Sequence, residues 1–341
     1  MSVYARPNGR LVTLSPRMKL VMTLLVRDEE DVLREHLEYH LNAGVDHVVA
    51  IDHRSQDGST EILDSYARQG VLTHTREEGT FSRQGEWQTR MSRLAVAEHG
   101  ADWVVPSDAD EFWMARGSSL KEALRSVPSE VGVAGGLLRN FVPQRADDGW
   151  FVERLTVRLA GHAPINDPAT PFRPVVKVAH RGSPRVVISS GGAHRVFGVG
   201  EFPTGWYPLD VLHFPFRSAE QSARKYRKTW TGWESNLRGD LARSRQVAEE
   251  GRSSAMWDRV ALDGADVRDG LAGGSLVTDV RLRDVFRSLR ETGAEPATDG
   301  GAEFGPDAVG SAVFAEAEVV RLQRWLDDVQ RRVALLDGRR P

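Results

Sequence analysis

Asp108 and Asp110 stand at the end of an apolar run, in Trp103-Val-Val-Pro-Ser-Asp-Ala-Asp-Glu-Phe-Trp113. Short β-branched runs read as buried strands, and the change to Ser-Asp-Ala-Asp marks the strand's C-terminal edge. Ligands of open α/β sheets bind at that edge. Two carboxylates so spaced can approach one hard cation when the strand end curls. Mg2+ and Mn2+ prefer oxygen and commonly sit on one or two carboxylates plus substrate phosphates. Taken alone, an Asp-x-Asp is equally well a solvated acidic turn. The same acidic switch recurs after two other apolar runs, at Asp28/Glu29 and at Asp52. That recurrence favours a binding site.

Other chemistry-bearing residues follow later. His213 interrupts the apolar Val211-Leu-His-Phe-Pro-Phe, where a lone imidazole is ordinarily a hydrogen-bonded core residue. Arg217, Ser218, Arg224, Lys225 and Lys228 come next, at what reads as a helix start. Helix N-terminal N–H groups and guanidinium forks both favour phosphate, which singles out Arg217 and Ser218 from an otherwise solvated basic face. His36 and His40 are spaced i, i+4, but His-Leu-Glu-Tyr-His lacks the Glu position of a zinc protease, so a structural role is expected.

The elements that must position these residues alternate. Leu20–Val26, 45–51, 70–74 and 103–108 read as strands. Helices are expected over Glu30–Asn42, after Asp57-Gly58 (with Ile62, Leu63 and Tyr66 inward) and over 86–99, past a loop holding Arg83 and Gln84. This β-α-β-α-β-α-β order predicts a parallel sheet. From 131 to 205 the pattern changes to strands at 131–138, 151–159, 172–179 and 186–190, joined by Pro- and Gly-rich segments. Trp230–Arg252 reads as charged helix and 288–310 as a Gly/Ala/Glu/Asp-rich loop. Ala315, Val319, Leu322, Leu326, Val329, Val333 and Leu336 form an amphipathic seam, packed on the catalytic domain or on a second copy as a homodimer.

Composition excludes several classes. The 341 residues carry a net charge of −3, so bulk electrostatics gives no reason for a nucleic-acid partner. No cysteine is present, which removes disulfides, thiolate metal sites and a Cys nucleophile. Met1–Lys19 lacks the apolar core of a signal peptide, and no apolar span reaches transmembrane length. The expectation is a soluble, cytoplasmic protein.

Taken together, Arg27-Asp28-Glu29, Asp52-His-Arg-Ser55-Gln-Asp57-Gly58-Ser59 and Asp108-Ala-Asp110-Glu111-Phe112 resemble the family 2-type glycosyltransferases of the GT-A fold. Their pattern runs Arg-Asn-Glu, Asp-x-x-Ser-x-Asp-Gly-Ser and Asp-x-Asp-Glu-Phe, and Asp28 departs conservatively from the Asn. The resemblance covers Leu20 to about Arg139 and returns at 191–196 and 212–221. It implies an α/β, Rossmann-like, mostly parallel sheet flanked by helices, with a mixed acceptor-side β region and a C-terminal helical tail. The expected divisions are 1–19, an extension; 20–130, the nucleotide-sugar half; 131–230, the acceptor half; and 231–341, the helical extension.

The resemblance also implies roles. Arg27 and Glu29 would border the nucleoside, Asp52 the base or ribose, and Arg83, Arg217 and Ser218 other parts of the donor. Asp108 and Asp110, with His213, would hold Mn2+ or Mg2+ on the diphosphate, as a Lewis acid for the leaving group. The reaction would be a hexosyl-type transfer from a nucleoside-diphosphate sugar to a glycan or small-molecule hydroxyl, with inversion. A general base is then needed. His194 and Glu201 lead, and Asp167 and Asp210 remain open. Trp150, Trp206 and Tyr207 are candidates for stacking on sugar faces. A nucleotidyltransferase would carry a Gly-rich basic loop after the first strand, where Arg27-Asp-Glu-Glu is acidic. An Asp-nucleophile phosphatase would place its Asp-x-Asp on the first strand rather than the fourth.

Overall fold

The structure is a computed structural model describing residues 18–79, 83–146, 148–160, 176–189, 193–200, 207–232, 257–258 and 260–292. Its first half runs β1 (Leu20–Val26), α1 (Glu30–Asn42), β2 (His47–Asp52), α2 (Ser59–Arg68), β3 (Leu72–Arg76), α3 (Gln84–Ala97) and β4 (Trp103–Asp108). Then come β5 (Glu111–Ala115), α4 (Leu120–Arg125), β6 (Val133–Asn140), α5 (Phe151–Arg154), β7 (Val157–Leu159), β8 (Val176–Arg181), β9 (Val187–Ile188), β10 (Val196–Phe197) and β11 (Leu209–His213). The described chain ends with α6 (Ala219–Gly232), α7 (Gly264–Ala272), β12 (Leu276–Thr278) and α8 (Arg281–Thr292).

Eight strands form one sheet in the order β3-β2-β1-β4-β8-β6-β11-β5. The pairs β3–β2, β2–β1, β1–β4 and β6–β11 are parallel, while β4–β8, β8–β6 and β11–β5 are antiparallel. A parallel first half passing into a mixed second half is what the sequence pattern predicts. Because the register sets His213 opposite both Asn140 and Glu111, the ends of β6 and β11 meet the start of β5. All of them lie at the edge where β1 and β4 finish.

β1 is apolar apart from Thr23 because both faces are covered. Leu20, Met22 and Leu24 join the large core with Leu33 and Leu37 of α1 and Leu282 and Phe286 of α8. Val21 and Leu25 face the other way, against Trp87, Met91 and Ala95 of α3. This alternation is the two-residue period of a strand. On β6, Gly136 makes room for the neighbouring side chains, since a Cβ there would stand 2.9 Å from the Trp113 ring and 2.8 Å from Val211.

Three elements differ from the sequence expectation. Phe151–Leu159 is not one strand but α5 followed by the short β7, because Phe151, Val152 and Leu155 recur at helical spacing and enter the main core. The expected loop from Ser288 begins instead as helix α8, whose Leu282, Val285, Phe286 and Leu289 repeat at three to four residues and pack on the same core. Glu111–Ala115 is an additional strand, wholly buried. The 315–336 seam lies outside the described residues, as does the Trp230–Arg252 segment beyond Gly232.

A charged cluster fastens α8 to the sheet. Asp210 on β11 is fully buried and accepts hydrogen bonds from Arg116 (2.7 Å), Arg139 (3.0 Å) and Arg281 (2.8 Å). Arg281 also bonds Asp279, which accepts from Arg158 at 2.9 Å. Burial pushes the Asp210 carboxyl up, but the three guanidinium groups outweigh it and hold the acid far below the carboxylate range. A depressed folded pKa contributes stability that is complete above the unfolded value and is lost only as pH falls through the folded one. Asp210→Ala removes the carboxylate shared by the buried Arg139 and the partly buried Arg116 and Arg281, and should cost about 3–5 kcal/mol, read as a lowered denaturation midpoint at neutral pH. An unchanged midpoint would contradict this role.

Candidate active site at the strand ends

The first two sequence motifs are fastened to each other. The Asp28 N–H donates to Ser55 Oγ (3.0 Å), and Asp28 Oδ1 accepts from the Gln56 N–H. The Glu29 N–H donates to Ser59 Oγ (2.9 Å) and the Glu30 N–H to Asp57 Oδ2 (3.1 Å), while Glu30 Oε2 accepts from the Gly58 N–H (2.8 Å). The orphan donors at the start of α1 are thus met by side chains of the neighbouring loop. Asp28 has φ +55°, a left-handed conformation that Asp and Asn tolerate better than other L-residues. That explains why either acid or amide serves there.

Asp52 belongs to this scaffold. It is fully buried, accepting from the Ser55 N–H (2.9 Å) and the Thr60 hydroxyl (2.6 Å). Burial raises its acid, and these hydrogen bonds more than offset that, holding it below the usual range. As placed, it shapes the loop rather than presenting a free carboxylate. Arg27 lies on the same loop, and its Nε is buried without a hydrogen-bond partner among the described residues.

Beneath the third motif, α1 braces the turn between β4 and β5. The His40 Nε2 accepts from the Trp113 N–H (3.0 Å), and its Nδ1–H donates to the His36 carbonyl (2.8 Å). His36 Nε2 lies 3.2 Å from Ser107 Oγ. Burial pushes His36 down to about 3, so it remains neutral, and both histidines are structural, as expected.

At the edge itself, charges converge. Asp110 Oδ2 lies 2.5 Å from Lys225 Nζ, 3.7 Å from His213 Nε2 and 3.9 Å from Arg217 Nη1. Asp108 Oδ2 lies 3.0 Å from Lys177 Nζ, which also meets Glu111 Oε1 at 2.7 Å. His213 Nδ1 is 2.7 Å from Asn140 Oδ1, so Nδ1–H donates to that amide oxygen and Nε2 is directed toward Asp110. Arg217 is buried, its fork gripping Asp31 (2.7 and 2.9 Å), Glu29 (2.6 Å) and the Phe214 carbonyl (3.0 Å). Burial raises the acids of Glu29 and Glu111, the latter to about 8 despite Lys177. Asp110 is also pushed up by burial, yet Lys225 and His213 hold it well below the carboxylate range.

The other expected residues are more scattered. Ser218 Oγ accepts from the Gln221 N–H (3.1 Å), an N-cap for α6. Arg83 is exposed and pairs with Glu86 (2.8 Å). His194 donates from Nδ1 to the Val176 carbonyl (3.0 Å), beside Lys177, and burial lowers its pKa with help from that ammonium. Asp210, one of the open choices for the base, is locked in its arginine cluster away from this edge. Trp150 donates to Glu35 (2.9 Å) and Tyr207 is buried, so both pack rather than face an open pocket. Glu201, Asp167 and Trp206 lie outside the described residues.

Sequence reasoning missed Lys177, Asn140 and Asp31. The signal for Lys177 was present: a single ammonium in the apolar run Val175-Val-Lys-Val-Ala179 has no place in a core unless it meets acids.

The donor set fits a divalent ion poorly as it is arranged. Among the described residues no group of three or more His, Asp or Glu is assembled to hold a metal. The carboxylates of Asp108 and Asp110 each already carry an ammonium. A second cation at Asp110 Oδ2 would compete with Lys225.

Residues 22–134, which hold β1 through the start of β6 and all three acidic motifs, match the model of glycosyltransferase family 92. This match supports a glycosyltransferase, the enzyme class expected from the sequence, through family 92 where the motifs resembled family 2. No curated protein matches. Among solved structures, the chain is similar to S. aureus TarS 1–349 in complex with UDP, with 14% identity over 67% of this chain and 69% of that one and a TM-score of 0.32. For S. aureus TarS the identity is 18% over 39% of this chain and 23% of that one, with a TM-score of 0.28. For 4-diphosphocytidyl-2C-methyl-D-erythritol synthase it is 14% over 49% and 77%, with a TM-score of 0.28. The chain spans less than half the length of the first TarS structures it matches. No helix among the described residues is long and apolar enough to cross a membrane.

Ser55→Ala tests the motif lock. It removes the Ser55 Oγ acceptor of the buried Asp28 N–H and should cost about 1–3 kcal/mol, seen in chemical denaturation. A variant as stable as wild type would show that the lock does not hold the loop.

Proposed function

We propose that this chain transfers a sugar from a nucleoside-diphosphate donor to a hydroxyl acceptor, with the donor laid across the ends of β1, β4 and β11. The observation that carries this reading is the convergence of Arg27, Glu29, Asp108, Asp110 and His213 at one sheet edge, where all three acidic motifs meet. The family 92 match over the segment bearing those motifs supports it. A glycan or small-molecule hydroxyl is the acceptor class.

In the transfer, the acceptor oxygen forms a bond to the anomeric carbon while the bond from that carbon to the diphosphate oxygen breaks. The bonding pair leaves on the diphosphate, and the hydroxyl proton goes to a base. A single displacement of this kind inverts the anomeric centre. We assign the base to His194: its Nδ1–H is occupied by the Val176 carbonyl, so Nε2 carries the free lone pair. Burial and Lys177 keep the ring neutral to lower pH than an ordinary histidine. Mn2+ or Mg2+, if bound, would supply charge neutralisation at the diphosphate, and Asp108, Asp110 and His213 would hold it only once Lys225 gave up Asp110.

Release of nucleoside diphosphate from a panel of UDP-, GDP- and dTDP-sugars tests the reading. One donor should be turned over, and Asp110→Asn should lower the rate about a hundredfold with its fold retained. Turnover of none, or full activity in the variant, would sink it.

The base assignment has its own signature. His194→Gln should lower kcat by about 10²–10⁴-fold. Neutral imidazole is the active form, so wild-type activity should rise with pH through a limb below the ordinary 6.5 and stay flat above it. A limb above 6.5, or one that survives in His194→Gln, would move the role to another residue.

A further inference from the structure

Which cation meets the donor's diphosphate can be argued from what each is already holding. Arg217 is 2% exposed, and its fork is spent on Asp31, Glu29 and the Phe214 carbonyl. Lys177 is 4% exposed and wedged between Asp108 and Glu111. Arg224 leans outward to Glu30, at 3.3 Å. Lys225 differs from all three in exposure: its side chain is 34% exposed, while its Nζ sits at the heart of the edge, 2.5 Å from Asp110 Oδ2 and 3.4 Å from the Pro215 carbonyl. The imidazole Nε2 of His213 approaches the same oxygen at 3.7 Å. An ammonium therefore already occupies the Asp110 oxygen that faces His213, the oxygen a divalent ion shared by the two would use.

We propose that Lys225 is the resident cation of this site: it neutralises Asp110, meets the donor diphosphate, and lets the chain bind its donor without an added divalent ion. The inference rests on the donor-site reading above. An ammonium has three donor hydrogens and can bridge a carboxylate to a phosphate oxygen without leaving either. As the anomeric C–O bond breaks and its electron pair settles on the diphosphate, the fixed charge of Lys225 opposes the growing negative charge. No proton passes through it. Helix α6 delivers the residue: Ser218 caps its start and Gln221 ties back to the Arg217 N–H (3.1 Å), which fixes Lys225 two turns into the helix against Asp110.

The test is calorimetric titration of UDP, GDP, CDP and dTDP into the full chain, in excess EDTA and in excess Mn2+, for wild type, Lys225→Met and Lys225→Arg. We expect one diphosphate to bind wild type with affinities within about threefold in the two buffers. In EDTA, Lys225→Met should weaken that binding at least about tenfold and Lys225→Arg should largely restore it. In Lys225→Met, Mn2+ should recover affinity, because Asp110 is then open to it. Wild-type binding that needs Mn2+ by tenfold or more overturns the inference and leaves the donor site standing, as does undiminished binding by Lys225→Met in EDTA. Binding of no diphosphate in either buffer overturns the donor site and the inference together. Should Lys225→Met melt early, the wild-type comparison of EDTA with Mn2+ still decides.

Discussion

Strands β1, β4, β6 and β11 end at one edge of the sheet, and four of the acids gathered there are Glu29, Asp31, Asp108 and Asp110. Carboxylates crowded out of water repel one another and lose hydration, so such an edge exists only if cations are built in beside it. Here they come from distant sequence. Arg217 lies 186 residues from Asp31 and grips it with both arms, Lys225 reaches Asp110 from α6, and Lys177 reaches Asp108 and Glu111 from β8. The second half of the fold exists, electrostatically, to balance the first.

That balance also explains the division of labour among the motifs. The Arg27-Asp-Glu and Asp52-to-Ser59 stretches read as ligand contacts, yet much of their polar capacity is turned inward, one loop capping the other. Their chemistry is preorganisation: a rigid loop holds Arg27 and Glu29 at the strand end, where a loop left to water would wander. The neutral histidines of α1 do the same for the turn that carries Asp108 and Asp110.

The first half was legible in the sequence because its signals are local. A nearly continuous apolar run at Leu20–Val26, helical spacing from Glu30 to Asn42 and Asp57-Gly58 before Ser59 each declare an element within about a dozen residues. The second half was harder. The interval from Phe151 to Leu159 alternates well enough for a strand, and only packing of Phe151 and Val152 on the main core selects a helical turn. Long-range partners were the least visible. Nothing near Lys177 announces that Asp108 and Glu111 will lie on either side of it, and nothing near Arg281 announces Asp210. Arg217 and Ser218 drew attention as phosphate ligands through their place at a helix start. Tertiary structure instead commits the first to carboxylates and the second to capping.

The central claim is that the strand ends form a nucleotide-sugar donor site, and amide hydrogen exchange with and without a binding nucleoside diphosphate addresses it most directly. Occupancy should slow exchange in the segments 26–31, 53–59, 107–112 and 213–218, which meet at the edge and come from both halves of the chain. Protection confined to other surfaces, such as the groove between α3 and β9, would place the nucleotide elsewhere and contradict the account.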